Sequence, residues 1–135
     1  MYRNLLVPLA LADAHDADAP LRAVRALADE GAKITLLHVI EEVPPQAAAF
    51  LPEHYVTDMQ RDRLAELQRR AEGLPGVTAE IATGSAGALI LDRAAALGVD
   101  CIVIASHRPG LRDWFLGSTA ARVVRHAQCA VHVVR

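Results

Sequence analysis

Five short apolar runs recur along the chain, "NLLVPLA" at 4–10, "KITLLHVI" at 33–40, "VTAEIAT" at 77–83, "DCIVIA" at 100–105 and "CAVHVV" at 129–134, and helical patterning fills most of the intervals between them. A strand followed by a helix and then another strand places the strands parallel, because a tight hairpin cannot return the chain in the same direction. The alternation therefore predicts an α/β fold: a doubly wound three-layer sandwich around a five-stranded parallel sheet, Rossmann-like, with flavodoxin-like strand order 3-2-1-4-5. No internal repeat or linker interrupts the pattern, and 135 residues suit a single domain over 1–135.

Local signals set the expected boundaries. Pro8 cannot donate to a ladder and belongs near the end of the first strand. Asp18 is expected to cap the first helix, with Pro20 in its first turn, Leu21, Val24 and Ala28 on its buried face, and Gly31 as its C-terminal cap. The second run is almost unbroken in its apolarity, which suits burial on both faces of a sheet. Residues 41–55 hold three prolines and no clear period, the mark of a lid or a long connection. Leu64, Leu67 and Ala71 line the next helix, which "GLPG" ends. Ala86, Ile90, Ala94 and Leu97 line the third helix up to Gly98. Ala120, Val123, Val124 and Ala127 form the apolar face of the last.

Composition narrows the function classes. A net charge of −2 and a pI near 6.3 argue against a nucleic-acid module, which carries a basic face. No apolar run approaches the ~20 residues of a membrane span, and no signal peptide is evident at the N-terminus, so a cytoplasmic location is expected. Cys101 and Cys129 are expected as reduced, buried thiols. His126, Cys129 and His132 are spaced three apart, but they straddle a helix end and a strand, so a shared metal is not expected.

Ligands of such sheets bind beyond the carboxyl ends of the strands, where the strand order reverses. Two stretches reach that place: Pro8, Leu9 and Ala10 at the end of the first strand, and "ASHRPGLRDWFLGST" (105–119) after the fourth. Gly117, Ser118 and Thr119 open a helix whose first amides lack internal acceptors, a seat suited to an anion. His107 and Arg108 bring donors from the other side, with Pro109 stiffening the turn. Ordinary helix capping, a solvated Arg108 and a plug made by Trp114 and Phe115 are the competing reading. A P-loop is excluded, since no G-x-x-x-x-G-K-[ST] occurs and the single lysine, Lys33, opens a strand. No G-x-G-x-x-G follows the first strand either.

Four segments, "MYRNLLVPL", "LLHVI", "GVDCIVIASHRPG" and "LGSTAARVVRHAQCAVHVVR", together resemble the universal stress protein family along essentially the whole chain. The nucleotide-binding branch of that family carries G-x2-G-x9-G-[ST], which wraps the phosphates of ATP. Here Ala105, Ser106, His107 and Arg108 stand in place of G-x2-G, and eight residues, 109 to 116, precede Gly117-Ser118. This S-H-R-P variant is similar to an ATP-binding subgroup. The resemblance implies ATP as ligand, magnesium being a possible companion, with adenine met by main-chain groups of Leu9 and Val39. It also implies a homodimer through the C-terminal strand at Val131, Val133 and Val134, and a role in the stress response with an unidentified protein partner. Ala10 stands where the family usually has an acidic residue.

Three functions remain in view. The first is an ATP-binding sensor or regulatory module with little turnover and no catalytic residue. The second is a nucleotide-free homodimeric scaffold with a degenerate pocket, motivated by Ala10. The third, an enzyme of the wider adenine-nucleotide hydrolase group, has the least support, since no G-x-S-x-G elbow or neighbouring base accompanies Ser118. His38 is expected as a core histidine with a backbone partner, though it could line the crevice. Glu41 and Glu42 are expected in a solvated loop rather than on magnesium, and Arg112 and Asp113 as a surface pair.

Overall fold

The computed structural model describes residues 1–11, 18–106 and 116–135. Its strands are β1 (Tyr2–Pro8), β2 (Ala28–Ile40), β3 (Val77–Thr83), β4 (Cys101–Ala105) and β5 (Ala130–Val134), and every pairing between them is parallel, in the order β3-β2-β1-β4-β5. The helices are α1 (Asp18–Leu27), the single turn α2 (Pro45–Ala48), α3 (Tyr55–Ala71), α4 (Ala86–Leu97) and α5 (Ser118–His126). The three-layer sandwich expected from the alternation is present.

Alternation along the central strands builds two cores. Leu5, Val7, Ile34, Leu36, Cys101 and Val103 pack beneath α1 and α3, where Val24 and Leu67 are fully buried. Leu6, Leu37, Ile102 and Ile104 project to the other face, beneath Ile90 and Ala94 of α4 and Ala120 and Val123 of α5. Successive residues of a strand point to opposite faces, so β1, β2 and β4 need apolar residues at nearly every position. Their unbroken runs reflect that need.

Several expectations require correction. Gly31 is not a helix cap: α1 stops at Leu27, the chain passes directly into β2, and Gly31 (φ 78°) lies within that strand. The β1–β2 register jumps there from Tyr2↔Ala28 to Asn4↔Lys33, and an irregularity that takes up extra residues needs the left-handed backbone that glycine tolerates. Ala28, assigned to the first helix, thus begins β2. Asp18 is the first residue of α1 rather than a residue outside it. Val124 is 46% exposed, so the apolar stripe of α5 is narrower than its spacing implied. Cys129 lies just before β5 and is half-buried rather than fully so. Gly98 does end α4 as expected, with φ 65° and its N–H donated to the carbonyls of Ala94 and Ala95.

Candidate functional site: a crevice between β1 and β4

Strand pairing opens the site. β1 pairs with β4 only at Leu5↔Cys101 and Leu6↔Ile102. On its other side β1 continues with β2 to Pro8↔Leu37, and β4 continues with β5 to Ala105↔Val134. Beyond Leu6 and Ile102 the two central strands therefore part, each held by its outer neighbour. α1 leaves β1 toward one face, and α5 follows β4 on the other. This is the topological switch point at which open α/β sheets bind ligands.

The first wall is the exit of β1. Pro8 ends the strand; the Leu9 N–H donates to the Leu37 carbonyl at 2.9 Å. Leu9 is buried, while Ala10 is exposed at the rim. His38 confirms the expectation of a backbone partner: its Nδ1 lies 2.8 Å from the Leu9 carbonyl oxygen. Burial pushes the imidazole below its usual pKa and the Arg63 guanidinium acts in the same direction, against the opposing effect of the Leu9 bond. Val39, half-buried, packs toward α4 on the opposite face of the sheet.

The second wall is the exit of β4 with the start of α5. The Ser106 N–H donates to the Val134 carbonyl at 2.8 Å, and Ser106 is buried. The Gly117 N–H donates to the Ser106 carbonyl at 2.6 Å, which brings the two ends of the quoted 105–119 stretch together. Gly117 has φ −59° and ψ 155° and caps α5 without a side-chain bond. Any residue adopts those angles, so what glycine contributes here is the missing side chain rather than unusual backbone freedom. Its own amide is committed to Ser106. The amides of Ser118 and Thr119, in the first turn, have no intrahelical acceptor and form the donor set. Ser118 is exposed and Thr119 half-buried. His107, Arg108, Pro109, Arg112, Asp113, Trp114 and Phe115 lie outside the described residues.

Two features escaped the sequence reading. A cavity of about 850 Å³ opens beside the β1 exit, between Leu11 and the first turns of α3, at Tyr55, Asp58, Asp62 and Arg63. The cavity runs along α3 as far as Glu66 and Arg69, on the α1–α3 side of the sheet. The second is the start of α4, where Ser85 caps the helix in an extended conformation without a side-chain bond. "GSAG" at 84–87 repeats the Gly-Ser helix start of "GSTA" at 117–120, and in an all-parallel sheet both helices begin on the same rim. Glu42 is exposed in the 41–44 connection, as is Glu41, which has an interaction partner. Among the described residues no group of three or more His, Cys, Asp or Glu side chains is arranged to hold a metal.

A parallel sheet in 3-2-1-4-5 order with its switch point between β1 and β4 defines a doubly wound α/β domain of the flavodoxin-like order. Residues 1–135 match the universal stress protein family, and the chain belongs to it. Universal stress protein A homolog 2 of Coxiella burnetii is 31% identical over 141 residues, covering 99% of this chain and 95% of that protein. Universal stress protein G of Escherichia coli O157:H7 is 29% identical over 147 residues, covering all of both chains. Among solved structures, the universal stress protein UspA of Lactobacillus plantarum is 28% identical with a TM-score of 0.75, covering 99% of this chain and 98% of its own. Three more distant structures share the fold and hold nucleotide. One is a universal stress protein in complex with cAMP (20% identity, TM-score 0.69, coverage 99% and 97%). Another is the Archaeoglobus fulgidus protein with dAMP (16%, 0.67, 99% and 98%). The third is an Arabidopsis thaliana family member with AMP bound (21%, 0.62, 98% and 90%).

Proposed function

We propose that this protein binds adenine nucleotide, ATP in particular, as a sensor or regulatory module with little turnover. The observation that carries the reading is the parted β1–β4 seam beside the start of α5, whose first amides have no intrahelical acceptor. Leu9, Ala10 and Val39 offer main-chain groups and apolar surface to the base. Ser118 and Thr119 seat the phosphates, assisted by Ala105 and Ser106 at the end of β4 and by His107 and Arg108, which follow them in the chain. Family members with AMP, dAMP and cAMP support the adenine assignment. The expectation of little turnover is supported by a sequence that carries neither a Walker lysine nor a nucleophile elbow. Where magnesium accompanies the nucleotide, the phosphates themselves supply its ligands.

Titration calorimetry with ATP tests the seat. Gly117→Val combined with Ser118→Ala is expected to weaken binding at least about tenfold, a loss of ~1.4 kcal/mol, with an unchanged circular dichroism spectrum. Equal affinity in wild type and double variant rules the seat out. The exposed Ala10, where the family resemblance implies an acidic residue, favours a second reading: a nucleotide-free regulatory scaffold. Wild-type protein that neither binds ATP nor releases nucleotide on denaturation selects it. In both readings the protein acts in the cytoplasm as a homodimer with a further protein partner. β5 is an edge of the sheet, and its half-buried Val131, Val133 and Val134 suit pairing with a second copy. A monomer mass in light scattering at micromolar concentration removes the dimer.

A further inference from the structure

Regular β1–β2 pairing stops at Pro8↔Leu37, yet both main-chain polar groups of the next residue, Leu9, are held. Its N–H meets the Leu37 carbonyl, and its carbonyl meets the His38 ring. A carbonyl oxygen only accepts, so the ring nitrogen facing it carries a proton. The donor comes from a residue 29 positions away and acts where β1 has lost its β4 partner, so no sheet bond from that side steadies Leu9. The ring projects to the α1–α3 side, alternate to Leu37 and Val39 on the other face. The ring therefore does not occupy the α4–α5 side of the Leu9–Ala10 main chain.

We propose that His38 is a positioning residue of the nucleotide site: its Nδ1–H, given to the Leu9 carbonyl, sets the Leu9–Ala10 main chain in the shape that the adenine base meets. The inference rests on the adenine-binding reading for its purpose, though not for the anchor itself. Burial, with a smaller contribution from Arg63 of α3, lowers the pKa of the ring and so favours its neutral form. The tautomer with the proton on Nδ1 follows, as it would for a fixed hydrogen-bond donor.

Two variants separate the donor from mere bulk. Asparagine places an amide nitrogen at the same number of bonds from the backbone as Nδ1, whereas leucine fills the space without a donor. In His38→Leu, amide hydrogen exchange at Leu9 is expected to accelerate about three- to tenfold, and ATP affinity to fall by a similar factor, the usual worth of one net hydrogen bond. His38→Asn is expected to restore both to within about twofold of wild type. Should His38→Leu not fold, His38→Ala takes its place in the same comparison. Unchanged exchange at Leu9 in the donorless variant overturns the anchor. Faster exchange with undiminished affinity overturns its role in binding. A wild-type protein that binds no ATP defeats the adenine reading instead, and the exchange data then decide the anchor alone.

Discussion

The two ends of the β1–β4 seam are built in opposite ways. At the amino end, side chains stitch the strands together. The Asp100 carboxylate accepts the main-chain N–H groups of Arg3 (2.9 Å) and Asn4 (3.0 Å), and the Asn4 amide donates to the carbonyls of Leu97 (2.7 Å) and Gly98 (3.2 Å). Asn4 thereby ties the start of β1 to the end of α4, satisfying carbonyls that a helix terminus leaves over. At the carboxyl end the strands part after Leu6 and Ile102, and each is tied outward, Leu9 to β2 and Ser106 to β5. One seam thus does two jobs. Its closed end locks the order of the sheet, and its open end leaves a gap whose walls are rigid because each borrows its stability from the neighbour on the far side.

If that division is real, substitutions should sort by which end they touch. The largest effect belongs to the last closed pair. Leu6 is fully buried where the strands diverge, and Leu6→Ala is expected to cost about 2–5 kcal/mol in urea unfolding. A cost below about 1 kcal/mol would mean that the seam is not held shut by packing at that point. Next comes Asn4→Ala, which removes two hydrogen bonds from the stitched end and is expected to cost about 1–3 kcal/mol while leaving ATP affinity unaltered. An affinity loss comparable to that of the Gly117→Val, Ser118→Ala pair would show that the two ends are coupled.

A chemical probe sharpens the comparison between the faces rather than the ends. Cys101 belongs to the core beneath α1 and α3, while Cys129 packs against the core beneath α4 and α5. Burial pushes the Cys101 thiol up to about 11, and burial together with Asp100 raises that of Cys129. The thiolate is the reactive form, so neither should react promptly with a disulfide reagent at pH 8. The half-buried Cys129 is expected to react first and Cys101 only on unfolding. Rapid labelling of both in native protein would show that the β4–β5 seam opens readily.

How far the sequence reveals this arrangement depends on whether a signal is local. β3 runs over 77–83 as the sequence indicated, because "GLPG" and "TG" punctuate both sides of it. α4 ends at Gly98 for the same reason. The α1–β2 junction has no breaker: Leu27 leads straight into Ala28, whose place in β2 is set by pairing with Tyr2 across the sheet. Val124 misled because Val123 and Val124 sit side by side on the edge of a nine-residue helix, and only one of them can face inward. At the site, the Gly-Ser helix start and the proline ending β1 were readable from residue type. The length of the open seam was not, since it depends on where β1 and β4 stop pairing. That His38 takes a main-chain partner was expected from its apolar setting, yet which carbonyl it takes depends on contact between distant residues.

The smallest expected effect bears on the open end, and it follows from the sign of a single titration. Burial holds the His38 pKa below its ordinary value near 6.5. Above that value the ring is neutral in both folded and unfolded chains and contributes no pH dependence. As pH falls below it, the unfolded chain takes up the proton first, so the native state loses stability until the folded ring also protonates. Wild-type protein should therefore show a Tm that declines between pH 7 and pH 5 more steeply than that of His38→Asn, which has no titrating ring at this position. Parallel Tm profiles for the two proteins would mean that the imidazole titrates as freely in the fold as in the open chain. The wall of the crevice would then be as wet as the rim at Ala10, and the contrast between a rigid wall and an open gap would fail at the residue that most depends on it.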